Sequence, residues 1–130
     1  MTNIRTGGLL ISAALAGALT VAACGGGSGG SSGDTIPAGA TVIEAHDIKF
    51  DQKEYAAPAG EVPIAYESKG QQVHTLVIYD ADNQVMGDTL KVNPGDTKVA
   101  TFDLPAGTYT VICDIPGHKA AGMVATLTTS

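Results

Sequence analysis

V-H-T-L-V-I-Y, residues Val73–Tyr79, is the most strand-like run in the chain. Alternation with period two puts His74, Leu76 and Ile78 on one face and Val73, Thr75, Val77 and Tyr79 on the other. Both faces are largely apolar, as in a central strand covered on both sides. Its β-branched residues suit a pleated, packed surface.

Working outward, similar short runs recur about every ten residues, separated by Gly/Pro turns. Downstream, Gln84–Val92 holds one short strand or two around Gly87, and Asn93–Asp96 (N-P-G-D) is a turn. Thr97–Leu104 alternates again, and Pro105–Gly107 turns. Thr108–Cys113 then sets Tyr109, Val111 and Cys113 on one face, and Met123–Thr129 sets Met123, Ala125 and Leu127 on one face. Upstream lie Thr41–Ile48, a more polar segment Lys49–Tyr55 anchored by Phe50, and Val62–Ser68. Pro63 marks an edge position or a strand end, because proline cannot donate to a ladder. No stretch after residue 40 has a helical period. The pattern predicts an all-β sandwich or barrel of about seven or eight strands, occupying residues 40–130.

The chain before residue 40 has a different composition. Arg5 is the only charge in residues 1–23, and Leu9–Ala23 is apolar. A short basic start followed by an apolar run of this length reads as an export signal, and the run is shorter than the ~20 residues of a spanning helix. It ends in V-A-A-C (Val21–Cys24), which resembles the lipobox of bacterial lipoproteins. That resemblance implies cleavage before Cys24 and lipid on its thiol. Residues 24–39 then form a linker. Its first part, G-G-G-S-G-G-S-S-G (Gly25–Gly33), has the composition of a coil with a root-mean-square span of roughly 15–18 Å. The expected location is the outer face of the cytoplasmic membrane, or the periplasm, with the domain anchored through Cys24.

Charge narrows the partners. Of 130 residues, 13 are acidic and 7 basic. Without residues 1–23, six Lys face thirteen acidic side chains, a net of −7. No basic footprint for nucleic acid is present, whereas a positively charged protein patch would be attracted. If Cys24 carries lipid, Cys113 has no disulfide partner in an oxidising compartment. A lone exported thiol invites oxidation unless it is buried or bound to metal.

Cys113–Met123 reads C-D-I-P-G-H-K-A-A-G-M. It gathers a thiol, an imidazole and a thioether (Cys113, His118 and Met123) with four residues between successive members. Such soft donors suit copper better than calcium or magnesium, which prefer oxygen. A trigonal copper site wants two His and one Cys with a long axial Met. The missing imidazole is His74, on the inward face of its strand. It meets Cys113 at one end of the sandwich if the two strands are neighbours or face each other. His46 fits no ligand spacing. Pro116-Gly117 forms the turn that presents His118, whose edge should reach the surface amid Ile115, Pro116, Ala120, Ala121 and Met123. Asp114 and Lys119 read as solvated loop charges available for docking or tuning.

His74 with C-x4-H-x4-M resembles the ligand set of the cupredoxins, the small blue copper proteins. The loop is most similar to the auracyanin, rusticyanin and sulfocyanin type, and less to azurin, whose step from His to Met is shorter. The likeness covers Thr41–Ser130. It implies a Greek-key β-sandwich holding one type 1 copper, Cu(I)/Cu(II), ligated by His74, Cys113, His118 and Met123. It also implies single-electron transfer between redox partners rather than turnover of a substrate. Those partners would be respiratory or other membrane-bound electron-transfer proteins, and the carrier a monomer. Thr75 stands where many members have an Asn that ties the two ligand segments together, and Val73 where azurin has Gly.

Other functions fit less well. Storage or delivery of copper without redox chemistry is the alternative, but such sites expose Met or Cys on mobile segments. A zinc site is chemically compatible with thiolate and imidazole. Multicopper enzymes need more than the three His present, and a binuclear centre needs a second Cys in the loop.

Overall fold

The computed structural model describes residues 33–130. The export signal of residues 1–23, Cys24 and most of the Gly/Ser-rich segment lie outside the described residues. Nine strands follow: β1 (Thr41–His46), β2 (Lys49–Phe50), β3 (Glu54–Ala57), β4 (Gly60–Ser68), β5 (His74–Tyr79), β6 (Leu90–Val92), β7 (Thr97–Leu104), β8 (Gly107–Ile112) and β9 (Val124–Thr129). No helix occurs among the described residues, so none is long and apolar enough to cross a membrane.

The strands form two mixed sheets, ordered β2-β1-β4-β7 and β3-β9-β8-β5-β6. Their inner faces supply a single apolar core, with Ile43, Ile64 and Phe102 from the first sheet meeting Leu76, Val111 and Leu127 from the second. Each such side chain contributes roughly 1.5–3 kcal/mol through removal of its surface from water. β5 lies inside the second sheet, and from His74 to Ile78 every residue is buried, as its two apolar faces require. One polar tie crosses the core: the Tyr66 hydroxyl donates to the Thr75 carbonyl over 3.0 Å. It fixes the start of β5 against the opposite sheet.

Two segments differ in detail from the sequence pattern. Lys49–Tyr55 is not one strand: β2 pairs with β1 in the first sheet, and β3 pairs in parallel with β9 in the second. The chain changes sheets at Asp51, whose carboxylate accepts from the Glu44 N–H at 3.0 Å and from the Tyr55 hydroxyl. β4 is an interior strand, but its pairing with β1 begins only at Ile64 opposite Thr41. Pro63 therefore precedes the β1 ladder and its missing N–H forfeits no bond there. The Gln84–Val92 segment holds one short strand, β6, as the pattern allows, with a bridge at Val85 on the other side of Gly87.

The sandwich's hydrogen bonding also begins upstream of Ala40. Gly33 bridges Thr97 in the parallel sense. The Asp34 N–H donates to the Thr97 carbonyl at 3.0 Å, and the Asp34 carboxylate accepts from the Val99 N–H at 2.9 Å. Residues 33–34 thus cover the start of the exposed β7 edge, as edge strands generally need.

Candidate metal centre

One end of the sandwich gathers the site. β5 and β8 are antiparallel neighbours, with Val77 opposite Ile112. Continuing that register brings Cys113, just past the end of β8, beside the start of β5. The contact is direct: the Thr75 N–H points at Cys113 Sγ from 3.4 Å. His74, one residue earlier, faces the interior and is fully buried, as Cys113 is.

The loop that closes this end is held by its own backbone. Ile115–His118 forms a turn closed by the His118 N–H on the Ile115 carbonyl, 3.0 Å. Pro116 presets the first central position, and Gly117 takes φ +88° at the second; this is the type II pattern, in which a side chain at the second position would be strained. The Met123 N–H donates to the His118 carbonyl at 3.0 Å, and the Cys113 N–H to the Met123 carbonyl at 3.2 Å. Both ends of C-x4-H-x4-M are therefore bonded to each other and to its middle. The ammonium of Lys53 binds the carbonyls of Gly122 and Val124, which secures the exit of the loop.

The donors converge. Cys113 Sγ lies 3.4 Å from His118 Nδ1 and 4.0 Å from His74 Nδ1. The two imidazole rings are 5.1 Å apart at centroid and tilted by 53°. All three donor atoms fit within 4.8 Å of one another, and all three residues are buried. Among the described residues, Cys113 Sγ, 4.0 Å away, is the one partner of His74 Nδ1, and His74 Nε2 makes no well-formed hydrogen bond. A buried polar group without a partner is costly, and a metal bound at the Nδ1 side offsets that cost there. Burial, and then the neighbouring His118, hold His74 below the ordinary imidazole range; Asp47 and the His46 carbonyl oppose them. The ring is thus kept neutral, the form that ligates metal. Thiolate with two neutral imidazoles suits one copper ion.

Thr75 does the tying expected of an Asn. Its hydroxyl accepts from the Asp114 N–H at 3.0 Å, donates to the Asp114 carboxylate, and lies 3.5 Å from Cys113 Sγ. Asp114 is exposed but engaged by these bonds, so it is more than a solvated charge. Replacing Thr75 by Val keeps the backbone donor to sulfur and removes these hydroxyl bonds. Unfolding in urea should show a loss of about 1–2 kcal/mol, with Thr75→Ser close to the parent.

The remaining sequence expectations divide. His46 is no part of the cluster; it pairs with Glu44 at 3.3 Å on the surface. His118 is 8% exposed, with Pro116, Gly117, Ala120 and Ala121 exposed around it and Ile115 half-buried. Met123 does not join that surface: it is fully buried, because its side chain continues the inward face of β9 with Ala125 and Leu127. The sequence reading missed the anchoring role of Lys53, which lies in the short link between β2 and β3.

Residues 32–130 match the family model described as copper binding proteins, plastocyanin/azurin family. Among solved structures, dithionite-reduced auracyanin from the photosynthetic bacterium Roseiflexus castenholzii is similar, with 23% identity and a TM-score of 0.62 over 68% of this chain and 94% of that one. Auracyanin A, a blue copper protein of the green thermophilic photosynthetic bacterium Chloroflexus aurantiacus, is 24% identical with a TM-score of 0.59, over 68% and 96%. An azurin (iso-2) of the obligate methylotroph Methylomonas sp. strain J is 19% identical with a TM-score of 0.61, over 72% and 99%. At these identities the likeness is one of fold. A search of curated protein sequences finds no match.

Proposed function

Because the chain belongs to the plastocyanin/azurin family of copper-binding proteins, we propose that it carries single electrons between redox proteins at the outer face of a membrane, through one type 1 copper. The observation that carries this reading is the convergence of His74, Cys113 and His118 in a buried cluster held at strand ends and by a hydrogen-bonded loop. When bound, copper supplies a one-electron couple between Cu(I) and Cu(II). The chain's part is to hold the donors in one arrangement for both states. Met123 is the proposed axial ligand, since its backbone is bonded to both the Cys113 and His118 segments.

The surface supports the same reading. Of the four proposed ligands, only His118 has any exposure. Its edge, amid small and apolar neighbours, is the shortest route for an electron to a docked partner. Storage or delivery is less well supported, because the donors are buried rather than offered on the surface. Lipid on Cys24 would hold the carrier at the membrane, and Cys24→Ser should then move it from the membrane fraction to the soluble one.

Spectroelectrochemistry tests the carrier function. The copper-loaded protein should show one reversible wave with n = 1. Met123→Leu should keep the blue colour and raise the reduction potential, because removal of a weak axial donor disfavours Cu(II). An unchanged potential in Met123→Leu would show that Met123 is not the axial ligand. An irreversible or absent wave in the parent would rule out the carrier.

A further inference from the structure

We propose that the membrane tether leaves the domain at its copper end, so that the His118 surface faces the bilayer and serves a partner whose redox centre lies at the outer membrane face. This rests on the reading of Cys24 as the lipid attachment site.

The position of Gly33 carries the argument. It bridges Thr97, the first residue of β7. Thr97 lies opposite Glu67, and the next β4 residue, Ser68, donates its N–H to the Asp96 carbonyl at 2.9 Å. Val92, at the other side of that turn, lies opposite His74. Gly33 is therefore at the end of the sandwich that holds the ligands. Direction is fixed as well. The bridge is parallel, and β7 runs away from this end, from Thr97 toward Leu104 opposite Gly60. From Gly33 to Asp34 the chain thus runs away from the copper end, so the tether joins the domain at that end.

Length decides the orientation. Gly33 is nine residue steps from Cys24, and at ~3.3–3.6 Å each these reach at most about 32 Å. The eight residues of β7 span roughly 26 Å at the strand rise. To point the copper end away from the membrane, the tether would have to double back along that whole height and be almost fully stretched. A Gly/Ser chain of this length has a root-mean-square span of only about 15–18 Å. The orientation with the copper end toward the bilayer needs no such stretching. The C-terminus offers the opposite geometry: Thr129 lies opposite Gly107 at the far end of the sandwich, so a tether there would invert the domain.

The test uses the full chain, processed and purified from membranes with its lipid, loaded with Cu(II) and placed in vesicles whose headgroups carry nitroxide labels. Cu(II) near the headgroups speeds nitroxide relaxation, and the zinc-loaded protein gives the diamagnetic reference. The comparison is a Cys24→Ser variant tethered instead by nine Gly/Ser residues and a lipid-modified Cys after Ser130. Strong enhancement with the natural tether, and loss of most of it with the C-terminal one, is the expected result. Equal enhancement in two membrane-bound proteins overturns the orientation. Mass spectrometry that finds no acyl group on Cys24 overturns the tether itself, and the orientation with it.

Discussion

Cys113→Ser should fold but fail to develop blue colour with Cu(II). A serine hydroxyl is not deprotonated near neutral pH, so the thiolate–copper charge transfer responsible for an intense band has no donor. Two imidazoles and a hydroxyl remain, a set that gives pale complexes. Copper affinity should fall by more than about 100-fold, since even an outer-shell partner of a metal ligand is commonly worth about 10–100-fold. The fold should survive, because serine is nearly isosteric and its oxygen can accept the Thr75 N–H that now points at sulfur. Apo parent and apo variant should therefore differ by only about 1 kcal/mol. Absorption spectra and bound-copper assays read the first effect, and thermal unfolding of the two apo forms reads the second. A blue Cys113→Ser protein would remove Cys113 from the site.

Copper should stabilise the domain strongly. The described domain is small, and His74 comes from a strand 39 residues before Cys113, so the complete site cannot exist in the unfolded chain. A ligand that binds only the folded state at 1,000 times its dissociation constant contributes about 4 kcal/mol. For a domain of this size each kcal/mol moves Tm by about 4–8 °C. The expected gain on loading is thus about 15–30 °C, reversed by a chelator and absent in Cys113→Ser. The cause lies in His74, whose buried Nδ1 has Cys113 Sγ, 4.0 Å away, within reach and so gains a strong partner when metal binds. Calorimetry of apo and loaded protein measures the gain. A Tm that moves by less than a few degrees would mean that the cluster is not a tight metal site.

The candidate ligands were legible because their signals are local. His74 shares period two with Leu76 and Ile78, and the turn chemistry of Pro116-Gly117 locates His118 without any tertiary information. Cys113 and His74 could be brought together by assuming neighbouring strands, and β5 pairs with β8 as that requires. What escaped the sequence is non-local. β2 is two residues long, too short to show a period, and the partner of β3 lies about seventy residues away. Asp114 looked like a loop charge because only the fold brings it to Thr75. Met123 looked available at the surface because its loop is exposed, yet the inward parity of β9 takes precedence. The pairing of Gly33 with β7 had no signal beyond Asp34, a short acceptor placed to bond an edge-strand N–H.

The most direct test of the central claim is the visible spectrum of the purified protein with one equivalent of Cu(II), recorded before and after ascorbate and again after reoxidation. Ligation of copper by the Cys113 thiolate with His74 and His118 predicts an intense blue band that bleaches on reduction and returns on oxidation. A colourless or pale complex, or a band that does not return, would contradict it.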